Sequence, residues 1–311
     1  MERGKNKIVF FGTSEVCIPF LKSLKDKFDI SLIVTQPDAY GGRKKKLIEP
    51  AVKKYAVANK IRFIQPEKLN RETAETIKEI EPVIGVVISY GRFIPGKIFR
   101  IPEFNTVNVH FSLLPDLRGA APYQRAIETG MDKTGITIFE IGVKMDEGDI
   151  WSNKEFRIYP DDTSESLSER MGETGAPFLA TTLLAIINGK LIKRPQNHSL
   201  ATFTKVVTKE EGNISWELTA IEIYNKFRAF YPWPGLTFLS GDKKIVIKEM
   251  NISQGESDQI PGTVLSLTKD TLKVCCGRKS VIEISLILPQ GKKEMTPYTY
   301  SLGNNIPEKL D

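Results

Sequence analysis

The chain is poor in cysteine and histidine, with 3 Cys and 2 His among 311 residues. Cys17 stands alone and Cys275 and Cys276 are neighbours. No disulfide framework or zinc-ligand spacing can be read from them, which fits a reducing compartment and predicts no bound metal. No apolar run approaches the roughly 20 residues of a membrane helix. The opening MERGKNK leads straight into the apolar stretch from Ile8 to Phe11, so no leader peptide is expected. The expectation is a cytoplasmic protein without membrane contact. Gly12 alone occupies the first strand turn where a dinucleotide site carries G-x-G-x-x-G, which argues against NAD. There is no G-x-x-x-x-G-K-[ST] for nucleotide hydrolysis and no G-x-S-x-G elbow. No reactive cysteine is evident either, so the substrate must supply any nucleophile. Internal repeats and low-complexity tracts are also lacking.

What is there begins with length. A chain of 311 residues exceeds one ordinary core, and two domains are expected. Apolar strands at Lys7–Phe11, Ile30–Thr35, Arg62–Gln65 and Val83–Ser89 alternate with helical stretches around Ala51–Asn59 and Arg71–Glu79. This order predicts an α/β fold with a Rossmann-like, mostly parallel sheet. Asp162 to Glu165 resembles a capping box that opens a long helix ending near Asn188 and Gly189. From Lys190 to Lys209 there are five basic residues and no acid, which suggests a linker. Beyond the helix Thr219–Phe230, five short strands at regular spacing suggest a small OB-like β-barrel. The expected boundaries are a catalytic domain 1–189, a basic linker 190–208 and a barrel domain 209–311. The net charge of +6 lies in the first part: 31 basic against 25 acidic residues up to Thr208, and 13 of each from Lys209 on. That surplus is compatible with a polyanionic partner.

Thr106–Gly119, TVNVHFSLLPDLRG, is the stretch around which the rest is organised. Val107, Val109 and Phe111 alternate with Asn108, His110 and Ser112, a period of two. Asn108 and His110 therefore share a strand face, roughly 6–7 Å apart. Pro115 ends the pairing and an Arg118-Gly119 turn follows. An amide and an imidazole thus sit where a strand runs out into a loop, the place at which open α/β sheets bind ligands. Alone, a strand histidine is more often structural, and Asp146 in its Gly-containing loop reads as a turn residue. Together, Asn108, His110 and Asp146 would form a proton-handling site with an oxyanion donor. A second constellation, Gly41-Gly42-Arg43-Lys44-Lys45-Lys46, reads either as a solvated charge run or as a loop that grips phosphates. His198 reads as an exposed polar residue, and Trp216 and Trp233 as packing residues.

The order N-x-H-x-S-L-L-P-x-x-x-G-x-x-P from Asn108 to Pro122, with D-x-G-D at Asp146–Asp149, resembles the 10-formyltetrahydrofolate-dependent formyltransferases. Phe10–Thr13, Gln36-Pro37-Asp38, Ser89-Tyr90-Gly91, Tyr231–Gly235 and Pro261–Val264 extend the resemblance over nearly the whole chain. It implies 10-formyltetrahydrofolate as co-substrate and the α-amine of initiator methionyl-tRNA as acceptor, in a monomer working in translation initiation. It also implies Asn108, His110 and Asp146 as catalytic residues. Ser112, Leu113, Leu114 and Pro115, with Tyr90 and Gly91, would line the folate pocket. Arg43, Lys44, Lys45 and Lys46 would contact the tRNA acceptor end. The chain departs from the family pattern at Val16, where an aromatic is usual, and in its electrically neutral C-terminal region. The rival readings are a formyltransferase acting on a small amine and an RNA-binding protein without catalysis.

Overall fold

The computed structural model describes residues 6–41 and 46–310. The chain divides into two compact units. The first takes the chain up to Pro122, Lys133–Arg157 and Ser168–Thr204; the second takes Tyr123–Asp132, Ile158–Leu167 and the chain from Lys205 on. Most of the basic stretch 190–208 therefore belongs to the first unit.

The first unit opens with β1 (Lys7–Gly12), α1 (Ile18–Lys27), β2 (Asp29–Val34) and a short hairpin, β3 (Ala39–Gly41) with β4 (Lys46–Ile48). There follow α2 (Ala51–Ala58), β5 (Phe63–Ile64), α3 (Arg71–Ile80), β6 (Ile84–Ile88), α4 (Gly96–Phe99) and β7 (Thr106–His110). Along the chain then come β8 (Arg118–Gly119), α5 (Pro122–Glu128, in the second unit from Tyr123 on), β9 (Lys133–Glu140), β10 (Ile150–Arg157), α6 (Ser164–Ile187, in the first unit from Ser168 on) and β11 (Phe203–Thr204). Seven strands form one sheet in the order β10-β9-β7-β6-β1-β2-β5. β5, β2, β1, β6 and β7 are parallel; β9 runs antiparallel to β7, and β10 to β9. The parallel strands are apolar throughout because both faces are covered: every residue of β6 is buried. On one face Val9, Phe11, Leu32 and Val34 meet Ile77, Ile80, Ile98 and Phe99.

The α/β expectation holds, and four local differences have physical reasons. β10 carries no clear alternation because only Ile150 and Phe156 of this edge strand are buried. The Arg118-Gly119 turn is instead a two-residue strand paired in parallel with Phe203-Thr204. The α6 cap sits one residue later than Asp162: Thr163 Oγ1 accepts from Ser166 N at 3.2 Å and Ser166 Oγ from Thr163 N at 3.0 Å. The Asp162 carboxylate turns back to accept from Tyr159 N at 2.7 Å. Trp233, expected in packing, is more than half exposed, whereas Trp216 is buried.

In the second unit, α7 (Ala220–Ala229) starts on a capping box between Thr219 and Glu222. Five strands follow: β12 (Thr237–Ser240), β13 (Lys243–Ile252), β14 (Val264–Leu267), β15 (Leu272–Cys275) and β16 (Val281–Pro289), then α8 (Pro297–Ser301). They form one antiparallel sheet in the order β12-β13-β16-β15-β14. Its core gathers Trp216, Ile223, Phe238, Ile247, Val274 and Ile284.

Candidate active site

The chain lays β1, β2 and β5 to one side of the sheet and then β6 and β7 to the other, so the strand order reverses between β1 and β6. Crevices at the carboxyl ends of strands at such a reversal are where α/β sheets take ligands. Here the carboxyl ends are stitched together by side chains. Thr13 Oγ1 and Gln36 Nε2 donate to the Tyr90 carbonyl at 3.1 and 2.6 Å, and Ser14 Oγ to Ser89 Oγ at 2.8 Å. Gly91 has φ +76°, and a Cβ there would stand 2.7 Å from Gln36 Nε2; only glycine fits that turn without strain.

Asn108 and His110 lie on β7, in register with Phe139 and Thr137 of β9, and strand periodicity puts both side chains on one face. Asn108 is half-buried, and among the described residues its side-chain amide has no hydrogen-bond partner. His110 is buried against the edge of Phe139. Its Nε2 is 2.9 Å from the Leu117 carbonyl. A carbonyl only accepts, so Nε2 carries the proton and Nδ1 is the nitrogen left to titrate. Nδ1 faces Asp146 Oδ2 at 3.7 Å, too long for a direct hydrogen bond and short enough for one proton-bearing group to bridge. Burial holds the imidazole below its usual range, opposed by the Asp146 carboxylate and the Leu117 carbonyl. That direction favours the neutral ring, the form in which Nδ1 can take a proton.

Asp146 stands in the loop after β9, at φ +52°. Its Oδ2 accepts from Gly119 N at 2.7 Å, while Oδ1 takes no partner among the described residues. The three residues singled out by spacing and motif are thus brought to one place by β7, the Leu117–Gly119 segment and the Asp146 loop. This arrangement can stabilise an oxyanion at Asn108 and accept a proton at His110.

The residues expected at the folate pocket are less free. Ser112 Oγ donates to the Asp116 carbonyl and its own carbonyl accepts from Thr137 Oγ1 at 2.7 Å. Leu114 N donates to Thr137 Oγ1, Asp116 N to the Leu113 carbonyl, and Thr202 N to the Pro115 carbonyl. Leu113 packs over Gly135, and Leu114 packs with Phe139 and Ile150. Much of this stretch's backbone holds its own loop. The Tyr90 hydroxyl, by contrast, is buried without a partner among the described residues. Arg43, Lys44 and Lys45 lie outside the described residues; Lys46 opens β4 and is exposed, like its neighbours Leu47 and Ile48. No group of three His, Cys, Asp or Glu side chains suited to a metal occurs among the described residues. No described helix is long and apolar enough to cross a membrane.

Sequence reasoning missed two residues. Arg118, read as part of a turn, is 1% exposed, and Gln196 is buried beside it. They are 78 positions apart and touch, so no spacing could have paired them. The one signal was Arg118 itself, an arginine inside the N-x-H…P motif. His198 is exposed as expected, although its Nδ1 meets Arg118 Nη2 at 2.9 Å.

Comparison with known proteins places the chain in a class. The formyl transferase model matches residues 6–183 and the formyl transferase C-terminal domain model residues 206–305. The chain belongs to the formyl transferase family. A curated relative from Caldanaerobacter subterraneus subsp. tengcongensis, named methionyl-tRNA formyltransferase, is 38% identical over 97% of this chain and 98% of its own length. One of the same name from Sulfurihydrogenibium sp. is 39% identical over 83% and 84%. Among solved structures, the methionyl-tRNA formyltransferase from Clostridium thermocellum shares the fold with a TM-score of 0.56 and 19% identity, covering 90% of this chain and 99% of that one. A sugar 3N-formyl transferase, solved in the presence of dTDP and 5-N-formyl-THF, gives a TM-score of 0.66 at 17% identity over 94% of this chain and all of that one.

Proposed function

We propose that this chain transfers the formyl group of 10-formyltetrahydrofolate to the α-amino group of methionyl-tRNA. An α-amine has a pKa near 8 and is nucleophilic near neutrality with little help, so the difficulty lies in the developing oxyanion and in the proton. The amine nitrogen bonds to the formyl carbon, and the charge gathering on the formyl oxygen takes a hydrogen bond from the Asn108 amide. The amine's proton passes to Nδ1 of His110, and Asp146 stabilises the imidazolium that results. The same proton is returned to N10 of the folate as the bond from N10 to the formyl carbon breaks, so atoms and charge balance. Tyr90 and Gly91 at the strand reversal, with Ser112 to Pro115, form the folate side; the unpartnered Tyr90 hydroxyl is a donor such a ligand could use. Arg43 to Lys46 take the phosphates at the tRNA acceptor end, and the C-terminal sheet serves as an OB-like partner to the tRNA. The reading also makes the protein a cytoplasmic monomer of translation initiation.

The observation that carries it is the free Asn108 amide beside a buried imidazole whose titrating nitrogen faces Asp146. The names of its relatives, at 38–39% identity over most of the chain, support the tRNA acceptor over a small amine. A formyl-transfer assay with 10-formyltetrahydrofolate, offering charged methionyl-tRNA and free small amines in parallel, tests it. Product only on the small amine sinks the tRNA reading, and none on either sinks catalysis.

A further inference from the structure

Arg118 is a fully buried cation with a fork of partners. Nε and Nη2 donate to Oε1 of Gln196 at 3.2 and 2.7 Å, and Nη1 lies 3.5 Å from Oε1 of Glu147. A buried charge is expensive unless paired and hydrogen-bonded, so a guanidinium kept there marks a place where geometry matters. Gln196 passes that geometry on: its Nε2 donates to the carbonyls of Asp146 at 2.8 Å and Gly148 at 2.7 Å. With two bonds accepted and two donated, the amide is saturated and has one orientation. The loop it grips needs gripping, because Asp146 sits at φ +52°, a conformation that persists only where the surroundings impose it.

The residues on either side of Arg118 reach the same pair of side chains. The Leu117 carbonyl takes the hydrogen bond from His110 Nε2 and Gly119 N gives one to Asp146 Oδ2. Leu117 is itself at φ +56°, its N–H held by Thr202 Oγ1 at 2.8 Å. The pairing of β8 with β11 and the bond from Thr204 Oγ1 to the Arg118 carbonyl fix the backbone between them. The geometry points to Arg118, acting through Gln196, as the positioning residue that sets the approach of Asp146 to His110. The segment from Gln196 to Thr204 is thereby part of the active-site frame. This inference rests on the catalytic reading above.

The test is a double-mutant cycle on the full-length protein. Single-turnover rates and KM for the folate donor and for charged tRNA are measured for Gln196→Ala, Asp146→Asn and the double variant. A displacement of about 1 Å can cost up to 10²-fold in rate, so Gln196→Ala is expected to lower the rate about 10- to 100-fold with both KM values nearly unchanged. In the Asp146→Asn background the same change is expected to cost less than about threefold, because the group it positions has already been disabled. A structural role alone would multiply fully onto Asp146→Asn or appear as lost folded protein. Should Gln196→Ala not fold, Gln196→Glu, whose carboxylate still accepts from Arg118 but opposes the two loop carbonyls, is measured in the same way. Full multiplication, or a wild-type rate in a folded Gln196 variant, overturns the proposal. A wild-type rate for Asp146→Asn instead overturns the catalytic reading, so the two failures are told apart.

Discussion

In the second unit, Arg125 Nη1 donates to Glu128 and Glu211 at 2.6 Å each, its Nη2 reaches Glu211 at 3.1 Å, and Lys226 closes on Glu128 at 3.3 Å. In the first unit, the Asn108 amide and Asp146 Oδ1 have no partner among the described residues, and His110 stands 3.7 Å from Asp146. Both clusters gather polar side chains from distant parts of the sequence. The first spends its charges on one another, which suits a role in stability. The second leaves a donor, an acceptor and a titrating nitrogen unused, at the end of a strand in a buried setting. That is the arrangement the catalytic reading asks for, and Gln196, which grips the Asp146 loop, is itself saturated. The difference teaches that unspent hydrogen-bonding capacity, more than burial or charge alone, separates chemistry from scaffolding.

The comparison breaks most directly at His110. His110→Ala should lower the formyl-transfer rate by about 10²–10⁴-fold, the range for loss of a general base, while tRNA binding stays within about twofold. Equal loss of both would make the ring a structural residue. Asn108→Ala should cost about 10²–10³-fold, as for a lost oxyanion donor. Replacing Arg43, Lys44, Lys45 and Lys46 with neutral residues should touch binding and leave the chemical step alone. The log–log salt slope for tRNA affinity should flatten by up to about 3–4, read by binding titrations at several salt concentrations. An unchanged slope returns that loop to a solvated charge run.

The same ring sharpens the contrast in stability. Burial lowers the folded pKa of His110, while in the unfolded chain it is about 6.5. Below that value the unfolded state binds a proton that the folded state resists, so this group's contribution to stability falls as pH drops. Thermal melts from pH 7.5 to pH 5 should show the loss, and His110→Gln should remove part of it. An identical pH dependence in the variant would mean that the ring is protonated when folded.

Much of this site was legible in the sequence, for a reason that also sets the limit. Asn108 and His110 share a strand with a period of two, so local periodicity alone put them on one face. The alternating strands and helices, and the apolar run of β6, were enough for the parallel sheet. Asp146 came from its motif, since no local rule brings residue 146 to residue 110. Gln196 had no signal at all: its partners are Arg118, Asp146 and Gly148, and tertiary hydrogen bonds between distant loops leave no spacing to read. Edge strand β10 was missed because half-exposed strands lose their alternation, and the cap at Thr163 because several neighbouring polar residues can each close a first turn.

The smallest expected effect belongs to the ion-paired cluster. The Arg125 hydrogen bond, ahead of the Thr208 N–H, holds the Glu211 carboxyl down to about 2 against the opposing effect of burial. A carboxylate with a depressed folded pKa stabilises above its unfolded value, 4.5 here, and loses that contribution as pH falls towards the folded one. Glu211 remains partly open to solvent, so screening reduces the contribution to about 1 kcal/mol. Glu211→Gln should therefore lower the Tm at pH 7, differ little from wild type near pH 2, and leave the formyl-transfer rate unchanged. A loss of rate in folded Glu211→Gln would show that the cluster shares in the chemistry, and the division between ion-paired scaffold and unpartnered site would fail.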